Sequence, residues 1–141
     1  MQILNQAIDV LNNGGIILYP TETVWGIGCL TNNSKSIENL FKLKNRSKLK
    51  KFILLLGDDN KLNRYVKEVP EVAWDLIDYS EKQPTIIYPN AKNLPEVLIA
   101  KDQSIAIRII NSGPLQQLLR KIDSPLISTS ANLSNVPPAL K

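Results

Sequence analysis

The apolar residues of this chain fall into short runs whose spacing alternates between that of helices and that of strands. A first helix is predicted at the start, ended by Gly14-Gly15, with an apolar face of Ile3, Leu4, Ala7, Ile8 and Leu11. A second is predicted after a cap at Asn33-Ser34, with an inner face of Ile37, Leu40 and Phe41. Another is predicted to follow Pro114, with an apolar face of Leu115, Leu118, Leu119 and Ile122.

Five apolar runs have the length and composition of strands. They are residues 16–19, 52–56, 85–88, 104–110 and 125–127. Residues 20–29 are predicted to be a loop because Gly26 and Gly28 interrupt them. Two short helices separated at Pro70 are predicted from the apolar positions Leu62, Val66, Val72, Leu76 and Ile77. Since helices alternate with runs that are often continuously apolar, the sequence predicts an α/β sheet covered by helices.

Composition narrows the classes of function. The 141 residues show no repeat, linker or low-complexity segment, so a single domain over 1–141 is predicted. The sequence contains no histidine and one cysteine, Cys29, which argues against zinc, an internal disulfide and histidine-dependent triads. The first residues lack a basic segment followed by a long apolar one, so no signal peptide is expected. No stretch of the sequence has the apolar length to span a bilayer, and a cytoplasmic protein without a membrane partner is expected. A net charge of +4 favours phosphate-bearing ligands weakly.

Two polar segments follow predicted strands. The stretch Ser128-Thr129-Ser130-Ala131-Asn132 places hydroxyls and an amide where the last strand is expected to end. Such an edge of an α/β sheet suits an anionic or amino-acid ligand, although an ordinary turn has the same composition. The segment 20–28 carries Thr21 and Thr23, whose hydroxyls share one side if the backbone is extended. A structural loop around a buried Trp25 is the alternative.

Cationic residues supply a second kind of candidate. Lys44, Arg46 and Lys50 lie at the end of the second predicted helix, where they either clamp phosphate or form a solvated basic tail. Arg108 stands alone inside an apolar strand. It is either an anion receptor in a cleft or an arginine at a strand edge that reaches solvent or a carboxylate.

In this order, the motifs resemble the YrdC-like family of threonylcarbamoyl-adenylate synthases. The Pro-Thr-x-Thr-Val-aromatic-Gly-x-Gly motif occupies 20–28, the Lys-x-Arg motif is Lys44 and Arg46, and Ser-Thr-Ser-Ala-Asn occupies 128–132. The resemblance implies a twisted mixed sheet flanked by helices, with a concave basic cavity. It implies condensation of L-threonine, bicarbonate or CO₂, and ATP to threonylcarbamoyl-AMP and pyrophosphate, which serves a tRNA modification.

The resemblance also implies roles for individual residues. Lys44 and Arg46 are expected to be catalytic. The threonine ligands are expected to be Thr21, Thr23, Arg108 and Ser128. The ATP ligands are expected to be Arg46, Lys50, Ser104, Ser130 and Asn132. Mg²⁺ is expected to arrive with ATP, with no metal site of the protein's own. Further expected partners are tRNA or double-stranded RNA and downstream tRNA-modification proteins.

The chain departs from the family pattern at several positions. Ser47 stands where proline is usual, Ile110 replaces the proline after Arg108, and the Trp-Pro-Gly-Pro segment is reduced to Pro84. The family's final strand region, beyond the Ser-Thr-Ser-Ala-Asn motif, is expected to be absent or truncated. The alternatives to a synthase are an RNA-binding module, suggested by the basic balance, and carbamoyl transfer in metalloenzyme maturation. The missing zinc-binding cysteines argue against the latter.

Overall fold

The computed structural model describes residues 2–20, 25–32, 34–44, 52–79, 84–122 and 124–130. Their α-helices are α1 (Gln2–Asn12), α2 (Ser34–Lys44), α3 (Glu71–Tyr79) and α4 (Gly113–Lys121). Their strands are β1 (Ile17–Pro20), β2 (Trp25–Leu30), β3 (Ile53–Leu56), β4 (Thr85–Tyr88), β5 (Ile105–Ile109) and β6 (Leu126–Ser130). Short 3-10 helices span Asp59–Arg64 and Glu96–Leu98. The alternation of helices and strands predicted from the apolar runs is confirmed.

The six strands form one mixed sheet in the order β1-β2-β6-β3-β5-β4. Strands β3 and β5 are parallel, and the other neighbouring pairs are antiparallel. The described strands β1 and β4 are therefore the edges, and β6, last in the chain, lies between β2 and β3. This topology brings the Ser-Thr-Ser motif into the middle of the sheet.

Each face of the sheet carries its own apolar cluster. One cluster joins Ile37 and Leu40 of α2 and Ala73 of α3 to alternate strand residues, including Leu54 and Ile107. The opposite cluster is built from α1, α4 and the remaining strand positions, namely Leu11, Tyr19, Leu30, Leu55, Ile110, Leu118, Leu119, Ile122 and Leu126. We call this second side the α1/α4 face. Both faces bury apolar residues, which explains why several strands read as continuous apolar runs.

The first helix ends as its glycines predict. Gly14 has a φ of +84°, a conformation that glycine adopts at little cost, and the Gly15 amide donates to the Val10 carbonyl at 2.8 Å. The buried Ser36 hydroxyl of α2 then donates to the Gly14 carbonyl at 2.6 Å. This contact ties the start of α2 to the turn that ends α1.

The prediction that residues 20–29 form a loop was wrong for Pro20, which is the last residue of β1, and for residues 25–29. Residues 25–29 belong to β2, which pairs with β1 in the register Ile17↔Gly28 and with β6 in the register Gly28↔Ser128. A Cβ on Gly28 would lie 2.2 Å from the Ile127 carbonyl oxygen, so a glycine is required by the close approach of β6. Here glycine marks close strand contact rather than a turn.

Two other sequence predictions need correction. The last strand does not end at Ile127 but continues to Ser130, because β2 supplies backbone partners along that length. In α3, Val72 and Leu76 are not on the inner face. They are 63% and 44% exposed, and the helix instead buries Ala73. Ahead of Pro70, Leu62 lies in the 3-10 helix, whereas Val66 forms an isolated bridge with Ala91 and is not helical.

Candidate functional site

Two residues that the sequence nominates lie on the α1/α4 face. Arg108 of β5 pairs with Leu55 of β3, and Leu55 pairs with Leu126 of β6. Both leucines belong to the cluster of this face, and cross-strand partners share a face. Ser128 follows Leu126 by two residues and therefore lies on the same side. From strand spacing and rise, the Cα atoms of Arg108 and Ser128 are roughly 12 Å apart.

Helices cover only part of the α1/α4 face. Helix α1 packs on β1 and β2, and α4 packs on β3. Toward the β4 edge, Thr85 pairs with Arg108 and is exposed, and Ile87, two residues further on the same side, is 60% exposed. Arg108 itself is half-buried. A cationic side chain thus lies at the border between the packed part of this face and its open part.

The Ser128 hydroxyl is hydrogen-bonded to the hydroxyl of Tyr19. Tyr19 lies on β1 and is 6% exposed, so this contact joins the edge strand to β6 within the buried part of the face. The sequence pattern predicts Tyr19 only as part of the apolar strand at residues 16–19. The sequence offers one indication of this contact: a tyrosine in an apolar strand is buried, and a buried phenol generally needs a hydrogen-bond partner.

Ser104 lies just before β5 and has a local role. Its hydroxyl donates to the Asp102 carboxylate at 2.6 Å, and its amide donates to the same oxygen at 3.1 Å. The side chain is buried and closes the turn that leads into β5. Its assignment to ATP stays a prediction.

The other nominated residues lie wholly or partly outside the described part of the chain. Those outside it are Thr21, Thr23, Arg46, Lys50 and Asn132. For two more, only the backbone position is described: Lys44 is the last residue of α2, and Ser130 pairs with Gly26. The concave basic cavity, which depends on these residues, therefore stays a prediction. Among the residues described, no group of three or more His, Cys, Asp or Glu side chains is placed to hold a metal ion.

A large open cleft lies near the start of β6. It measures about 450 Å³, and its described lining is Thr31, Asn32, Tyr65, Asn93, Leu94, Pro95, Ser124 and Pro125. None of these residues is one that the sequence nominated. A much smaller cavity of about 20 Å³ includes Ser104 and Ala106 and borders the open side at Ile87. The nominated residues Arg108 and Ser128 are thus placed on a sheet face, apart from the larger cleft.

Buried phenol and thiol groups are expected to lower the free energy of unfolding at alkaline pH. Desolvation raises the pKa of Tyr19, Tyr88 and Cys29 to about 12, and the Ser128 hydrogen bond partly opposes this for Tyr19. Unfolding restores ordinary values, so the unfolded chain loses these protons first. Their contribution is complete below about pH 8 and declines as the pH rises from each group's ordinary pKa toward 12, by about 1.4 kcal/mol per pH unit for each group.

Urea denaturation at pH 8, 9, 10 and 11 measures this decline. Tyr88→Phe is expected to show a shallower fall in unfolding free energy above pH 10 than the unchanged protein. Equal slopes for the two proteins would contradict the role assigned to Tyr88.

Comparison with known proteins places the chain in a family. The family model of the Sua5, YciO and YrdC proteins, described as "Telomere recombination", matches residues 9–141. The chain belongs to this family. A relative from Pseudoalteromonas translucida, named threonylcarbamoyl-AMP synthase, is 37% identical over 131 residues, which are 91% of this chain and 70% of the relative. The resemblance stated from the motifs is confirmed.

Solved Sua5/YciO/YrdC structures share the fold. P. abyssi Sua5 complexed with L-threonine matches with a TM-score of 0.88 and 25% identity, covering 96% of this chain. The chain spans only 40% of that protein. Escherichia coli YciO matches with a TM-score of 0.81 and 26% identity, covering 96% of this chain and 66% of YciO. The α/β class with a mixed sheet is thereby confirmed. Among the described helices, none has the length and apolarity needed to cross a membrane.

Proposed function

We propose that this protein is an L-threonylcarbamoyladenylate synthase. It condenses L-threonine, bicarbonate or CO₂, and ATP, and releases pyrophosphate. The observation that carries the proposal is 37% identity, over 91% of this chain, to a relative named threonylcarbamoyl-AMP synthase. The match to a Sua5 structure complexed with L-threonine supports the choice of amino acid.

The chemistry requires two anions to meet. The threonine amine adds to CO₂ to form a carbamate and releases a proton. A carbamate oxygen then attacks the α-phosphorus of ATP, a bond to that phosphorus forms, and the bond to pyrophosphate breaks. Positive charge must offset the repulsion between carbamate and triphosphate, and positioned cations lower the barrier to such transfers. A histidine is not needed as a base once the carbamate has formed.

Arg108 and Ser128 are assigned to the amino-acid half of the substrate. The guanidinium of Arg108 suits a carboxylate, which it binds through two parallel hydrogen bonds. Ser128 offers one hydroxyl proton and two acceptor sites to the same ligand. Their common position on the α1/α4 face, with Arg108 at the border of its open part, supports this assignment. Thr21 and Thr23 are assigned to the same ligand from the sequence alone.

The nucleotide half is assigned from the motifs. Lys44 and Arg46 neutralise the reacting phosphate, and Lys50, Ser104, Ser130 and Asn132 contact ATP. Mg²⁺ enters bound to the ATP phosphates, which suits a cation that keeps most of its water and takes few protein ligands. The product passes to the proteins that modify tRNA, and the protein works in the cytoplasm.

Omission of single substrates tests the proposal. Pyrophosphate release by the purified protein with Mg²⁺-ATP is expected to require both L-threonine and bicarbonate. L-serine and L-valine, which each lack one feature of the threonine side chain, are the matched controls. Release that continues at the same rate without threonine would overturn the proposal.

The RNA-binding alternative makes a different prediction. An RNA-binding module would bind RNA with a strong salt dependence and release no pyrophosphate in the omission assay. No observation on the described residues favours it over the synthase.

A further inference from the structure

The contact between Tyr19 and Ser128 crosses an entire strand. Tyr19 lies on β1 and Ser128 on β6, with β2 between them. The β2 residues at this crossing are Gly26, which pairs with Tyr19, and Gly28, which pairs with Ser128. Because both are glycines, no β2 side chain at these two positions blocks the phenol ring from β6. Tyr19 therefore reaches across the two glycines of β2 and contacts the Ser128 hydroxyl.

Either hydroxyl of this contact can be the donor. Burial raises the pKa of Tyr19 to about 12, so the phenol is protonated at neutral pH and has a proton to donate. A serine hydroxyl has one proton and two acceptor sites. When Tyr19 donates to Ser128, the serine keeps its own proton to donate elsewhere.

We propose that Tyr19 is a positioning residue that donates to the Ser128 hydroxyl and aims the serine proton at the carboxylate of the amino-acid substrate. The ring is held by the packing of the α1/α4 face, where Tyr19 belongs to the cluster that includes Leu11 and Leu126. A side chain fixed in this way orients Ser128 before the ligand arrives, which lowers the entropic cost of binding. This inference rests on the proposed function, because it takes threonine as the ligand of Ser128.

Tyr19→Phe tests the inference by removing the hydroxyl and keeping the ring. The matched control is Tyr88→Phe, since Tyr88 is also buried but lies in the opposite cluster, and its hydroxyl has no hydrogen-bond partner among the described residues. L-threonine affinity is measured by calorimetry for the unchanged protein, both single variants, Ser128→Ala, and Tyr19→Phe combined with Ser128→Ala. Kinetics then give KM for threonine and for ATP.

Tyr19→Phe is expected to weaken threonine binding about fivefold, which is the effect of one neutral hydrogen bond. KM for ATP and the melting temperature are expected to change little, and Tyr88→Phe is expected to bind threonine normally. In the Ser128→Ala background, Tyr19→Phe is expected to have no further effect on affinity.

Two results would overturn the inference alone: normal threonine affinity in Tyr19→Phe, or a fivefold loss that persists in the Ser128→Ala background. Failure of the proposed function looks different. A protein that binds threonine but releases no pyrophosphate loses the synthase assignment, while the affinities still decide the role of Tyr19. A protein that does not bind threonine at all overturns both.

Discussion

Arg108→Gln is expected to lower threonine-dependent pyrophosphate release about 100-fold, which corresponds to about 2.7 kcal/mol of lost stabilisation. Glutamine keeps much of the side-chain length and removes the charge. Arg108 lies on an otherwise apolar strand, with Ile107 and Ile109 buried on the opposite side of the sheet. Loss of its charge therefore weakens the positive potential offered to threonine and should raise KM for threonine most.

Arg108→Lys separates charge from geometry. Lysine keeps the charge but lacks the planar fork that binds a carboxylate through two hydrogen bonds, so an intermediate loss of roughly tenfold is expected. Arg120→Gln is the matched control. Arg120 lies on α4, is 55% exposed at its side chain, and pairs with Asp58 at 2.9 Å on the surface. An equal loss of activity in Arg108→Gln and Arg120→Gln would remove Arg108 from the site.

Gly28→Ala is expected to destabilise the fold by about 3 kcal/mol and to lower the melting temperature by roughly 10 °C. The added Cβ would lie 2.2 Å from the Ile127 carbonyl oxygen and 3.3 Å from Leu126 Cγ. The first neighbour is backbone, so β2 and β6 must move apart. Because Ser128 pairs with Gly28, the same movement displaces Ser128, and threonine affinity should fall as well.

Gly113→Ala is the control for Gly28→Ala, at a position where an added Cβ has room. A Cβ on Gly113 meets none of the described residues within 4 Å, but Gly113 has a φ of +83°, where alanine is strained. The expected cost is about 1 kcal/mol, with normal threonine affinity. Calorimetric melting curves of the two variants measure the difference. A Gly28→Ala protein that melts within about two degrees of the unchanged protein would contradict the close approach of β2 and β6.

The class of fold and most of its elements follow from the sequence. The spacing of Leu4, Ala7, Ile8 and Leu11 predicts α1, and the continuous run at residues 53–56 predicts a strand covered on both faces. Strand β2 could not be predicted from the sequence. Glycine has low strand propensity, so Gly26 and Gly28 predict a loop. The requirement for them comes from β6, which lies about 100 residues later in the chain.

The sequence predicts which residues belong to the candidate site, but it does not predict where they lie relative to one another. Arg108 and Ser128 stand out by their polarity in apolar strands, but only the strand order places them on one face. Tyr19 was missed because its partner Ser128 is 109 residues away in sequence. Hydrogen bonds of such sequence separation depend on topology, which local patterns do not encode.

This chain is expected to join threonine, CO₂ and the AMP moiety of ATP into one molecule. Mass spectrometry of a reaction with ¹³C-bicarbonate, ¹⁵N-threonine and Mg²⁺-ATP measures this product. We expect an adenylate that carries both labels, formed in step with pyrophosphate and strongly reduced in Arg108→Gln. Pyrophosphate release without a doubly labelled adenylate would contradict this reaction.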